Sequence, residues 1–452
     1  MIREKLQKIV NQASVDYIEA RLETRKSTGV TYLGRELDEL GEREASGGCV
    51  RACHKGGWGF CSFNLTEDLE RAAREAADQA RSTGSSVTAL KAPAPVSGSF
   101  VQNFGEDPTG VSLEEKRDLA NRYNNLILAN PKIASSRVSY LDQSAHIAYV
   151  NNRGACIEQD RVFTGITMSA MARDGANVQR AYHSVGDHRG FANVRGLDAT
   201  VEETVKRAMD LLSARKVEGG RYTVILDPKL SGVFAHEAFG HMSEADFIFE
   251  NPRIAEKMRI GGVFGSPALN IVDNGSLLEE CGGYPVDDEG VPSRKTYLIR
   301  QGVLSGHLHS METAEKMGEG LTGNARAISY RFKPIVRMSC TYIEAGATPF
   351  EEMISGIKNG IYAVGMMGGN TDLEQFTFSA EHAFEIKDGK VGGLVRDVIL
   401  TGNLFETLHN IDGFGNDLKF FGGMGGCGKE GQSPLPVSDG GPHLRIKNVL
   451  IG

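Results

Sequence analysis

Apolar and polar positions in this chain follow two different periods, and the period changes from segment to segment. Residues 3–12 carry a helical spacing, while 15–36 read as a pair of strands. Cys49 to Asn64 reads as a hairpin around Gly56-Gly57. Thr66 is placed to cap a helix whose apolar stripe is Leu69, Ala73, Ala76 and Ala80. Lys91 to Gly98, with Pro93 and Pro95, interrupts the pattern as a loop or short linker. Ser112 and Glu115 form a capping box for a helix that runs to about Ala129 and stops before Pro131. Residues 134–184 then alternate as long antiparallel strands, with turns near Asn151–Gly154 and at Asp174-Gly175. A second capping box, Thr200 with Glu203, leads Val201, Val205, Ala208, Met209 and Leu212 down one helix face. Val217-Glu218-Gly219-Gly220 closes the first domain.

The second half is richer in strands. Tyr222 to Leu226 reads as a short buried strand, after which Asp227 offers an N-cap and Pro228 fits the first helical position. On that helix Leu230, Val233 and Phe234 define the apolar face. Lys295–Arg300 and Val303–His309 pair over Gln301-Gly302. Residues 376–386 alternate strictly, with Phe376, Phe378, Ala380, Phe384 and Ile386 on one face, and Asp388-Gly389 turns into a partner strand. His382 lies on that apolar face, where a satisfied core histidine is the expected role. No internal repeat or low-complexity tract is found.

Composition narrows the classes of function. A chain of 452 residues is too long for one ordinary core, so two or three domains are expected. Charged residues make up 24% and hydrophobic ones 40%, the profile of a soluble globular protein. Lys and Arg total 50 against 58 Asp and Glu, a net charge of -8, and no basic cluster of five or more occurs. That argues against a nucleic-acid surface. The first residues lack the apolar core of a signal peptide, and no apolar run reaches membrane-spanning length, so a cytoplasmic protein is expected. The seven scattered cysteines are then expected to be reduced. Cys49, Cys53, His54 and Cys61 match no zinc spacing and read as ordinary residues of a hairpin.

The most informative string is His236-Glu237-Ala238-Phe239-Gly240-His241. Two imidazoles flank a carboxylate, the groups a hydrolytic metal centre uses as ligands and base. In the H-E-x-x-H pattern of zincins the histidines stand at i and i+4, about 40° apart around a helix; here they stand at i and i+5, about 140° apart. Either a π-like turn brings them together, or the helix stops before His241 and the chain bends. Gly240 favours the second, since glycine ends helices in the left-handed conformation. Glu237 projects near the middle of the apolar face, between Val233 and Phe234, and such breaks in pattern tend to mark functional sites.

A catalytic metal normally takes three protein ligands. The glycine-rich run Gly422-Gly423-Met424-Gly425-Gly426-Cys427-Gly428-Lys429 is the obvious source of the third, with Cys427 presented by backbone that can approach closely. Two imidazoles and a thiolate form a reasonable zinc set. A flexible turn with an incidental cysteine is the plain alternative. The same run matches phosphate-loop spacing up to Lys429, but Glu430 stands where a hydroxyl should hold magnesium, and Gly431, Pro434 and Pro436 forbid the helix that should follow. Cys427 as a nucleophile paired with His236 or His241 leaves Glu237 and the other imidazole without roles.

Several strings occur together in an order that closely resembles the TldD/PmbA family, also labelled modulators of DNA gyrase. They are His236–His241, Asp287-Asp288-Glu289-Gly290-Val291-Pro292, Gly323-Asn324, Gly360-Ile361-Tyr362, Gly415-Asn416-Asp417-Leu418 and Gly426–Gln432. The resemblance covers nearly the whole second half. It implies an α+β protein of two domains, here 1–218 and a β-rich 219–452 bearing the metal site. It also implies a zinc metallopeptidase acting on unfolded or extended peptides, as a homodimer or a heterodimer with a TldE (PmbA)-type paralogue. The implied roles fall on His236, His241 and Cys427 as zinc ligands and on Glu237 as the base that activates the zinc-bound water. The branch lacking the motif is the TldE one, so this chain looks like the TldD side. Met242-Ser243 departs from the family's Gly-Leu before the acidic residue matched by Glu244. The gyrase label gains nothing from so acidic a sequence. The non-enzymatic alternative is a silent scaffold or regulatory subunit with a structural metal.

Overall fold

The computed structural model describes residues 2–86, 90–372 and 374–452, an α+β arrangement built on three large sheets. The first is seven-stranded and lies wholly before residue 190. Its order runs Gly57–Phe63, Glu36–His54, Tyr17–Leu33, Ile133–Asn151 and Cys156–Asp174. The last of these carries both Ser97–Gln102, parallel, and Asn177–Asp187, antiparallel, on its far side. Most neighbours are consecutive hairpins, as the alternating pattern predicts. The region 15–36 is one strand and not two: Gly29 stays in the ladder, opposite Gly41 on one side and Leu141 on the other. The hairpin turn falls at Lys55-Gly56, one residue earlier than expected, with φ of 46° and 78°. That pair of positive φ values matches the twist of a two-residue hairpin.

Period-2 alternation gives this sheet two different faces. Ile18 and Ala20, with Val50 and Ala52, join Leu69, Ala72, Ala76 and Ala80 of the Leu69–Thr83 helix in one apolar cluster. Val30, Tyr140 and Ile166 meet the Leu113–Leu128 and Asp198–Ser213 helices in another. The opposite face carries Glu19, Arg21, Glu23 and Arg51, and these are buried too. Two of the expected caps are absent. Thr66 begins a short 3-10 turn ahead of the helix and makes no capping bond. The Thr200 helix already starts at Asp198, so the Thr200 carbonyl accepts the Thr204 hydroxyl at 2.8 Å. Ser112 does cap its helix, accepting from the Glu115 N–H at 3.2 Å.

The other two sheets are woven from distant segments. A ten-stranded sheet places Gly220–Leu226 between Leu444–Ile451 and, in parallel, Asn359–Val364. A six-stranded sheet sets Cys340–Ile343 parallel to Ser438–Gly441. Residues 376–386 do not form one strand. Gln375–Ser379 and His382–Lys387 take separate places in the ten-stranded sheet, with the break at Ala380-Glu381. His382 is buried, and burial pulls its pKa down to about 4, as for a neutral core histidine, although its Nδ1 has no hydrogen-bond partner. The Pro228–Ala235 helix lies between these two sheets, with Phe234 set edge-on to Phe376 and Phe378. Among the described residues no helix is long and apolar enough to cross a membrane.

The charged face of the first sheet is closed by the string Asp287-Asp288-Glu289. Asp288 pairs with Arg21 at 2.7 Å, and Glu289 pairs with Arg51 at 2.6 Å. Arg51 also holds Glu19 at 2.7 Å. Asp287 instead accepts the N–H groups of Glu289, Val291 and Ala325, fixing the turn that presents its neighbours. This string is thus a seam between the first sheet and the second half of the chain.

Candidate metal centre

Asp227 caps the central helix as predicted, accepting the Leu230 N–H at 2.9 Å, with Pro228 in the first turn. The end of that helix differs from the expectation. His236–Gly240 is a π turn, followed by a 3-10 turn over His241–Ser243. Gly240 has φ −59° and ψ −54°, so it is right-handed and does not end the helix. Its lack of a side chain serves packing, since a Cβ would overlap the sulfur of buried Met338. The wider turn offsets the i, i+5 spacing, and the two rings lie 5.1 Å apart between centroids, nearly perpendicular. Glu237 is also placed differently. Leu230 and Phe234 are buried, whereas Val233 and Glu237, one turn apart, are half-buried on the cleft side.

Cys427 starts a short hairpin, Cys427–Lys429 with Gln432–Leu435. Its Sγ sits 3.4 Å from His241 Nε2. One ligand atom from each of His236, His241 and Cys427 falls within 4.8 Å of the others. Two backbone carbonyls fix the hairpin: buried Arg337 donates to Cys427 O at 2.7 Å and to Gln432 O at 3.1 Å. The glycines before it make a close approach to the first sheet. A Cβ on Gly422 would collide with the Gly186 carbonyl, and Met424 N–H donates to Ser184 Oγ at 3.2 Å.

The far nitrogen of each ring faces a carboxylate. His236 Nδ1 lies 2.9 Å from Asp439 Oδ1, and His241 Nδ1 lies 3.2 Å from Glu244 Oε2. Glu244 is itself held by Lys429 at 3.1 Å, which also pairs with Asp246 at 2.6 Å. This arrangement turns the other nitrogen of each ring toward the sulfur, as outer partners do around bound metals. Burial alone would raise the Cys427 thiol, but hydrogen bonds from the two imidazoles outweigh it and bring it to about 6. Burial would likewise lower the histidines. Asp439 and Cys427 instead hold His236 well above its usual value, and Cys427 and Glu244 lift His241 to about 9. The rings thus favour the thiolate and the thiolate favours charge on the rings, and two imidazole nitrogens with a thiolate are donors that a soft divalent cation would take.

The three groups and Glu237 line a cleft of about 590 Å³. Its far wall is Thr167, Arg180, Tyr182 and Ser184 of the first sheet, so both halves of the chain shape it. The carboxylate of Glu237 has no partner among the described residues. Lys429 is engaged by two carboxylates and no helix follows it, which removes the phosphate-loop reading. Sequence reasoning missed Asp439 altogether: Ser438-Asp439-Gly440-Gly441 carries no signal, and only the packing of its strand against the helix brings it to His236. Of the other rare strings, Asn324 donates to Asp273 at 2.8 Å and Asp417 accepts from His443 at 2.6 Å, both away from the cleft.

Family models for PmbA/TldA metallopeptidases match almost the whole chain, with domain 1 over 18–80, the central domain over 106–212 and the C-terminal domain over 219–452. This chain belongs to the PmbA/TldD metallopeptidase family. It is 42% identical over 443 residues to Metalloprotease slr0863 of Synechocystis, covering 98% of this chain and 96% of that protein. It is 30% identical to a zinc metalloprotease TldD homolog of Saccharolobus solfataricus, covering 77% and 78%. Among solved structures, a proposed modulator of a DNA gyrase from Thermotoga maritima superposes with a TM-score of 0.81 at 19% identity, over 100% and 99% of the two chains. TldE of Thermococcus kodakarensis superposes at 0.77 with 17% identity, over the whole of both chains. At those identities the likeness is one of fold.

Proposed function

We propose that this family member is a zinc-dependent endopeptidase acting on unfolded or extended peptides, with His236, His241 and Cys427 as ligands and Glu237 as the base. The observation that carries the reading is the convergence of three ligand atoms on the wall of a cleft, beside a carboxylate that nothing else engages. The donor set suits zinc: two imidazole nitrogens and a thiolate, with carboxylates behind both rings. The name of the Saccharolobus relative supports the same metal. His236, His241 and Cys427 would hold the zinc ion, which would supply Lewis acidity toward a scissile carbonyl and a water molecule. Glu237 takes the proton from the attacking water and returns it to the leaving amine. Asp439 and Glu244 keep the rings oriented throughout.

Three sheets present strands at this cleft. Arg180, Tyr182 and Ser184 belong to Asn177–Asp187, Phe421 to Lys419–Phe421, and Met367 precedes Gly368–Asp372. Lys419–Phe421 and Gly368–Asp372 end their sheets among the described strands. Such edges favour a substrate that adds as a strand and is held by its main chain. The dimer partner, a second copy or a TldE (PmbA)-type paralogue, and a cytoplasmic setting belong to the same reading.

Glu237→Gln is the deciding variant. It should retain the zinc content of the wild type and lose about 10²- to 10⁴-fold in peptide hydrolysis. Undiminished turnover would remove Glu237 from the chemistry. A wild type that holds zinc yet cleaves neither linear nor constrained peptides would favour the scaffold alternative. Equal cleavage of linear and conformationally constrained forms of one peptide set would overturn the extended-substrate part alone.

A further inference from the structure

His307, His309 and Glu319 form a second convergence of donor groups, about which the sequence patterns say nothing. His307 and His309 flank Leu308 in an extended segment, where residues two apart face the same side. Glu319 follows the Met311–Met317 helix, whose left-handed Gly318 cap turns the chain back toward them. His307 Nδ1 lies 2.8 Å from Glu319 Oε1, and His309 Nε2 lies 3.1 Å from Glu319 Oε2. One ligand atom from each of the three groups falls within 4.8 Å of the others. Both imidazoles are almost fully enclosed, at 2% and 1% side-chain exposure, while Glu319 keeps 23% and so forms the open side.

The tautomer of His307 decides what belongs between these groups. Its Nε2 is 3.0 Å from the Met258 carbonyl, which can only accept, so the ring proton sits on Nε2. In a ring with that single proton, Nδ1 is a bare lone pair facing a carboxylate oxygen. Two acceptors at that distance need a positive particle between them. His309 has Nδ1 3.2 Å from the Thr313 hydroxyl, which can donate or accept and so leaves either ring nitrogen free to carry the proton, and its Nε2 faces Glu319. A far ring nitrogen donating to a backbone carbonyl, as in His307, is the outer partner that ligating histidines have around metals.

We propose that His307, His309 and Glu319 bind a second divalent transition ion, zinc by preference, in a structural role. Two imidazole nitrogens and one carboxylate oxygen are a known zinc donor set, and a fourth position remains on the Glu319 side. The ion would act on the first centre through the backbone. Leu308, between the two ligands, donates its N–H to Ser243 O at 2.8 Å and accepts from Ala245 N–H at 3.0 Å. Those residues bracket Glu244, the partner of His241. Fixing the His307–His309 segment therefore fixes the carboxylate behind a proposed ligand of the cleft site. The rival occupant is a proton, making His307 an imidazolium paired with Glu319.

Metal counting on the full chain separates the two. After chelation and reloading with zinc, elemental analysis should give two ions per wild-type chain, and one each for Cys427→Ala, His309→Ala and Glu319→Gln. Glu319→Gln, at the exposed edge, covers the case in which His309→Ala does not fold. Loading with cobalt gives an independent signature. The thiolate charge-transfer band should persist in His309→Ala and vanish in Cys427→Ala, which keeps only the weak bands of a nitrogen and oxygen site. Zinc should also still raise the Tm of Cys427→Ala, and not that of Cys427→Ala/Glu319→Gln. A wild-type count of one with the thiolate band present, or an unchanged count in both His309→Ala and Glu319→Gln, overturns the second site in favour of the proton. Failure of the cleft site would show separately, as absence of the thiolate band from the wild type.

Discussion

The seven-stranded sheet and the two sheets that follow it are built on opposite plans. The first joins long neighbouring strands of up to 19 residues mostly through tight turns, so its register is set locally. The later sheets pair segments far apart in the chain, such as Gly220–Leu226 with Leu444–Ile451 and Cys340–Ile343 with Ser438–Gly441. Local pairing gives a stiff wall with one apolar and one charged face. Distant pairing brings together groups that no short segment could, as when Asp439 reaches His236. The first half therefore contributes one wall of the cleft, and the second half carries its proposed ligands and base.

The strongest way to break this division is at the seam. Arg51→Met leaves Glu19 and Glu289 buried without their cation, which should cost about 3–5 kcal/mol in urea denaturation. A loss below 1 kcal/mol would mean that water reaches the pair. Acid tests the first sheet next. Burial holds His188 neutral, lowering its pKa to about 4, while its Nδ1 meets the Val162 carbonyl at 2.6 Å. The unfolded chain takes up that proton near pH 6.5 and the folded one only near 4. Stability should thus be level above about 6.5 and fall across the interval to 4, by on the order of 3 kcal/mol from this residue. If His188→Gln leaves the slope of stability against pH unchanged there, the loss belongs to other groups. The smallest expected effect probes the other half. Gly240→Ala forces Met338 aside and should cost about 1–3 kcal/mol, with weakened metal binding, read by Tm and by zinc titration. An unchanged Tm would show that the π turn has room to spare.

The same contrast explains what could be read from residues alone. Hairpins of the first sheet follow from alternation and turn residues, and the cap at Ser112 from its capping box. The charged face was not legible, because Glu19, Arg21 and Arg51 look like a solvated face until Asp288 and Glu289 arrive from more than 230 positions away. In the second half, the three proposed ligands stood out through residue type and spacing. How two histidines at i and i+5 meet did not, since Gly240 suggested a helix end, whereas it is right-handed within a π turn and its missing side chain makes room for Met338 from a distant segment. Residues 376–386 misled for a related reason: unbroken alternation does not reveal that Ala380-Glu381 carries the chain to a different place in the sheet.

The contact between Gly422 and Gly186 gives the molecule a mechanical property. The sulfur rides five residues beyond a point where two backbones touch, so its height over the imidazoles is gauged against the opposite half. An excised 219–452 would contain every proposed donor of the cleft centre, yet the arm carrying Cys427 would have lost its rest. Transplanting this chemistry into another scaffold would require bringing the supporting strand along with the ligands.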